Sequence, residues 1–130
     1  MNDLEQERWN KGMELLTQMG RQETMLNQKE YPDLYNLSVG FLFGEIWSRP
    51  HLNIRDRQLA TLAAAIAMAH PVGVGIPAHC RSALHMGFTK EQIMELIIHV
   101  GMYVGWPAMI HAYSQFLDVL KEEQAKAKDQ

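Results

Sequence analysis

Apolar residues recur along this chain at three- and four-residue spacing, the period of helices with one buried face. Residues 3 to 19 place Trp9, Gly12, Met13, Leu16 and Met19 on one face, and Gly20 supplies a stop. Arg21 to Glu30 is polar and is expected as a loop with some helical turn. Pro32 and Asp33 suit the first turn of a second helix. Its expected apolar face is Leu34, Leu37, Phe41 and Leu42, with Ile46 at the edge. Gly40 and Gly44, four apart, allow either close approach by another helix or room for a ligand. Arg49-Pro50 breaks that helix. Asn53 can cap the next one, with Asp56 at its third position. The apolar run Leu59 to Ala69 is too short to span a bilayer. It predicts a helix buried on most sides, inside the fold or at a subunit contact.

The strongest local signals lie between His79 and Pro107. Gly87 suits the left-handed residue that ends a helix. Thr89 follows as an N-cap with Gln92 three residues on, a capping box. Phe88 and Ile93 can staple the corner. The helix after it buries Ile93, Leu96, Ile97, Val100 and Val104, Gly105 stops it, and Pro107 opens another. That last helix carries a stripe of Met109, Tyr113, Phe116, Leu117 and Leu120 and ends in a charged, solvated tail. Upstream, PVGVGIPA (71–78) reads as a connector leading into His79 at a helix start. Its Gly73-Val74-Gly75 is no dinucleotide fingerprint, because no strand precedes it and the third glycine is missing. No strand and no repeat are evident.

The whole is expected to be one all-α domain, residues 1–130, of about six helices. The apolar share, 47 %, is enough for a core. A net charge of −3 with no Lys/Arg-rich run argues against nucleic acid as a partner. The single cysteine, Cys80, excludes an internal disulfide and a CxxC pair. With no signal peptide, the expected compartment is the cytoplasm, and no membrane association is expected.

Candidate chemistry is carried by a few polar residues. Arg55 and Arg57 lie in a helix first turn, where the helix dipole disfavours cations. They either pair structurally with Glu45, Asp56 or a neighbouring subunit, or grip an anion. His79, beside Arg81, is the best-placed histidine. Glu95, His99 and Tyr103 form a row at i, i+4 and i+8 that suits a site wall or, preferably, a subunit interface. His51 and His70 read as loop residues. No metal is expected from His79, Cys80 and His85, since neighbours at i and i+1 point to different faces. Cys80 reads as a small hydrophobe rather than a nucleophile.

The segment GEIWSRPHLNIRDRQLATLA, followed by AHCRSALHMGFTKEQIMELIIHVGMYVGWPA, resembles the carboxymuconolactone decarboxylase family. The matching patterns are G-E-I-W-x-R-P-x-L, His-x-Arg-x-Ala, Gly-hydrophobic-Thr and Tyr-x-Gly-x-Pro-Ala, and the resemblance covers roughly residues 10 to 120. It implies an AhpD-like helical bundle assembled as a homo-oligomer, a trimer or hexamer. It further implies decarboxylation of a small carboxylated lactone, 4-carboxymuconolactone-like, with no metal or organic cofactor. Carried over by motif, His79 would donate a proton. Arg55, Arg57 or Arg81 would hold carboxylates. Glu45, counted with His79 as catalytic, and Trp47 would line or brace the pocket.

The chain departs from that pattern before His79. Decarboxylase members carry a short acidic segment there, whereas PVGVGIPA is longer and uncharged, which implies an altered pocket floor. The peroxidase branch of the superfamily places Cys-x-x-Cys at positions near Val72 and Gly75, and Cys80 lies on the wrong side of His79 to replace either. A non-catalytic, ligand- or partner-binding oligomer is the alternative reading, with thiol peroxidase third.

Overall fold

The computed structural model describes residues 2–25, 30–68 and 75–129, and it is all-α, with six helices and no strand among those residues. Helix α1 spans Asp3–Gln18. Helix α2 begins at Pro32–Tyr35 and continues as wider, π-type turns through Asn36–Ile46. Helices α3 (Ile54–Met68), α4 (Gly75–His85), α5 (Lys90–Val104) and α6 (Trp106–Lys128) follow. The chain falls into two compact units, Met1–Arg57 and Gln58–Gln130. No helix of the described residues is long and apolar enough to cross a membrane.

In the first unit, Asn2 caps α1. Its side chain accepts from the Glu5 N–H, and Glu5 accepts from the Asn2 N–H at 3.0 Å. Gly20, at φ 70°, ends the helix as expected. Gly12, Leu15, Leu16 and Met19 are buried, while Trp9 and Met13 are half-buried. The α2 segment packs against α1 through glycine. A Cβ on Gly12 would run into the Val39 carbonyl oxygen, and one on Gly44 into the Arg8 carbonyl oxygen. These two glycines therefore let the helix backbones meet.

This contact overturns the expected face of the second helix. Leu34, Leu37, Phe41 and Leu42 are exposed and Ile46 is half-buried, whereas Val39, Phe43 and Trp47 are buried. Two physical causes combine. The Trp47 N–H donates to the Leu42 carbonyl, five residues back, at 2.9 Å, and turns of that width change which side chains share a face. The glycine-bearing edge must also face α1, which turns the large leucines outward.

In the second unit, one core joins Leu62 and Ile66 with Ile76, Cys80, Ala83, Ile93, Ile97, Val100, Met109, Ala112, Phe116 and Val119. The α4–α5 corner forms as its local signals require. Gly87 has φ 96°, the Phe88 N–H donates to the Ala83 carbonyl and the Gly87 N–H to the Leu84 carbonyl, a Schellman closure. The Thr89–Gln92 capping box is present with both bonds, at 2.9 and 3.0 Å. Gly105, at φ 110°, ends α5, and Pro107 lies in the first turn of α6.

Three expectations need correction here. Helix α3 is capped by Asn53, whose side chain accepts from the Asp56 N–H at 2.8 Å. Within the chain only Gln58, Leu62 and Ile66 of it are buried, a stripe one side chain wide, so of the two expected settings it is burial inside the fold that is overturned. Tyr113 and Val104 are exposed, because Ala108, Ala112 and Val119 take the inner face of α6 and α5 turns its last residue outward. Helix α4 begins at Gly75, so His79 stands in its second turn rather than at its start. His70 and residues 71–74 of the expected connector lie outside the described residues.

Candidate functional site

His79 is half-buried on α4, and its ring meets a residue that the sequence did not single out. The Gln58 side-chain nitrogen lies 2.9 Å from His79 Nδ1. Gln58 is fully buried on α3, and its side-chain oxygen has no hydrogen-bond partner. Gln58 also lines a void of about 10 Å³ whose other walls are Leu59, Leu62, Ala83, Phe88, Ile93 and Leu96, all hydrocarbon. A buried amide wedged between hydrocarbon and an imidazole is unusual enough to mark the place, because an unpaired buried polar group is costly. Its i, i+4, i+8 register with Leu62 and Ile66 on α3 was the available signal, since it puts a polar residue on the buried stripe.

The neighbours of His79 on α4 point elsewhere. Cys80 is buried in the core, and burial pushes its thiol up to about 12, with the nearby Arg81 opposing only weakly. Such a thiol is neutral and unreactive at ordinary pH. Arg81 faces outward and grips Glu122 on α6 with two bonds, Nε at 3.0 Å and a terminal nitrogen at 3.3 Å. These hydrogen bonds raise the Arg81 pKa and lower that of Glu122. The pair is therefore held to a lower pH than an unpaired glutamate would allow, and is lost as pH falls through the lowered Glu122 value.

The remaining expected residues lie in the first unit. Glu45 pairs with Arg8 at 3.2 Å, both partly exposed. Trp47 is buried with its ring 5.5 Å from that of Phe43, and the Arg21 guanidinium sits 5.8 Å over the same Phe43. Arg57 donates to the Leu52 carbonyl at 3.2 Å and the Arg49 carbonyl at 3.0 Å, which ties down the turn before α3. Arg55 is exposed in the first turn of α3. This unit also holds a surface cleft of about 220 Å³ lined by Glu5, Arg8, Trp9, Asn36, Leu37, Gly40 and Phe41. Gly40 thus takes the open role and Gly44 the packing role that glycines at this spacing allow. None of the expected site residues lines the cleft. Among the described residues no group of three or more His, Cys, Asp or Glu is placed to hold a metal ion.

Residues 32–118 match the model of the carboxymuconolactone decarboxylase family. The chain belongs to the carboxymuconolactone decarboxylase family. It is 32 % identical over 127 residues to the 4-carboxymuconolactone decarboxylase of Acinetobacter baylyi, covering 94 % of this chain and 92 % of that protein. It is also 34 % identical over 76 residues to the nitrosuccinic acid decarboxylase of Metarhizium robertsii, covering 58 % of this chain and about half, 52 %, of that protein. The family span takes in Glu45, Trp47, Arg55, Arg57, Gln58, His79 and Arg81. It leaves out Arg8 and Glu122, the partners of the two ion pairs that engage Glu45 and Arg81.

Proposed function

We propose that this chain is a cofactor-free decarboxylase acting on a small carboxylated lactone of the 4-carboxymuconolactone type, working in the cytoplasm in the breakdown of aromatic compounds. The observation that carries the reading is the imidazole of His79 held against the buried Gln58 amide, within a chain of the carboxymuconolactone decarboxylase family. Both named relatives remove CO2 from an acid that carries an electron-withdrawing group, a lactone in one and a nitro group in the other.

The chemistry asks little of a cofactor. As the bond to the carboxylate breaks, its electron pair delocalises through the unsaturated lactone onto oxygen, CO2 leaves, and carbon then takes a proton. The protein must hold the carboxylate, stabilise that oxygen and supply a proton. This reading gives His79 the donor role, with Glu45 as the second catalytic group. It gives Arg55, Arg57 and Arg81 the carboxylate, and Trp47 a wall of the pocket. Turnover of purified protein on 4-carboxymuconolactone, followed as CO2 release with a chelator present, should fall in the ordinary enzymatic range, ~1–10³ per second. No release above the uncatalysed rate would sink the reading.

A second reading, a non-catalytic member that binds a ligand or partner, is favoured by the ion pairs that engage Glu45 and Arg81. The same assay separates the two. The neutral, buried thiol of Cys80 counts against peroxidase chemistry.

The reading includes a homo-oligomer, a trimer or hexamer, and one surface of the second unit suits it. Ile98, Met102, Tyr103 and Val104 on α5 continue into Trp106, Ile110 and Tyr113 on α6, all exposed, with Tyr103 at 81 %. The Glu95, His99 and Tyr103 row lies on the same exposed side, with the His99 and Tyr103 rings 5.3 Å apart. These large residues expose on the order of 700 Å² together, close to the ~800 Å² that each partner gives a standard interface. Patches of that size are uncommon on lone soluble domains. A second copy of this chain is the proposed occupant. Met102→Glu should weaken association at least tenfold, read as a fall in mass by light scattering on dilution. An unchanged mass would clear this surface of the role.

A further inference from the structure

Gln58 is a fully buried amide that makes one hydrogen bond, and that bond ends on the ring of His79. A side-chain amide has two faces, a carbonyl that accepts and an NH2 that donates. The nitrogen faces Nδ1 at 2.9 Å, and the oxygen is left without a partner. Turning the amide over would place the oxygen on the ring and strand both N–H donors among hydrocarbon. A buried C=O without a partner is tolerated better than a buried N–H. The observed orientation is therefore the cheaper of the two.

We propose that Gln58 is a positioning residue that fixes neutral His79 as the tautomer protonated at Nε2. An Nδ1 that accepts from the Gln58 amide must hold a lone pair, so the ring proton sits on the opposite nitrogen. His79 then presents a donor at Nε2, not a base. A neutral amide does this without bringing a charge into the core, which a carboxylate at the same position would do. A carboxylate there would also reverse the outcome: it can only accept, so it would pull the proton onto Nδ1 and leave Nε2 as a bare lone pair. The catalytic relevance of this rests on the decarboxylase reading, which needs a donor; the tautomer itself does not.

The experiment is long-range proton–nitrogen NMR on histidine-labelled protein above the imidazole titration range, with His79 assigned by its loss in His79→Phe. Wild-type His79 should show a pyridine-like Nδ1 and a pyrrole-like Nε2. One Gln58 side-chain amide proton should be shifted downfield and exchange slowly, and His79→Phe should abolish both properties. In Gln58→Glu the protonated nitrogen should switch to Nδ1, with kcat down at least tenfold and KM within about threefold. A wild-type ring protonated at Nδ1, or an ordinary Gln58 amide proton, overturns the proposal even if the glutamate variant fails to fold. So does a folded Gln58→Glu protein whose tautomer is unchanged, or one whose tautomer switches while kcat stays put. A wild-type protein with the expected tautomer and no decarboxylation would instead sink the activity and leave Gln58 in place.

Discussion

Gly44→Ala should cost about 3 kcal/mol or more, lowering the melting temperature by roughly 10 °C. The reason is that the added methyl has nowhere to go. Its carbon would sit on the Arg8 carbonyl oxygen, and that oxygen belongs to helix backbone, which cannot rotate aside as a side chain does. The α1 and α2 segments must move apart, which loosens the packing around the buried Leu16, Val39 and Phe43. Gly12→Ala should behave the same way, against the Val39 carbonyl. Gly40→Ala is the internal control. A Cβ there meets only the Arg8 Cβ, at 3.9 Å, so its effect should stay within about 1 kcal/mol and could be favourable. Thermal unfolding of the three variants measures this directly. Equal losses for Gly40 and Gly44 would mean that glycine matters here through backbone freedom rather than through close approach.

The second large effect is catalytic. His79→Ala should reduce kcat on 4-carboxymuconolactone by ~10² to 10⁴, the usual contribution of a positioned proton donor. KM should change by no more than a few fold, because the imidazole serves the charge that develops after binding. The variant also strands Gln58, whose amide then loses its hydrogen bond to the imidazole, at a cost of about 1–3 kcal/mol. Assays are best run well below the melting temperature of the variant, with its helix content checked by circular dichroism. Unchanged kcat would remove His79 from the mechanism.

Much of the fold was legible where the decisive signals are close in sequence. The Gly87, Thr89 and Gln92 corner and the Gly105–Pro107 junction obey rules that operate within one or two helical turns, and both formed as read. The Asn53 cap on α3 did too. The α2 face was misread for an equally definite reason. Its large apolar residues suggested a buried side at α-helical spacing, but burial there is set by which edge another helix can approach. That edge carries glycine, and its turns are wider than the α-helical period assumes.

The candidate site divides along the same line. Residue types and motif order singled out His79, Arg81, Glu45 and the two arginines of α3, and they were enough to find the family. Gln58 escaped notice because its meaning depends on a partner 21 residues away, on another helix. The engagement of Arg81 by Glu122 spans 41 residues and was equally invisible.

By itself, then, the sequence determined the helices, most of their ends, the family and a set of candidate site residues, because capping, periodicity and motif spacing act over a few residues. Only the tertiary structure decided which face of α2 is inside, which arginines are already engaged, and that an amide stands against the imidazole. Those outcomes depend on surfaces and partners brought together by folding, and no local rule encodes a contact between residues that the chain keeps far apart.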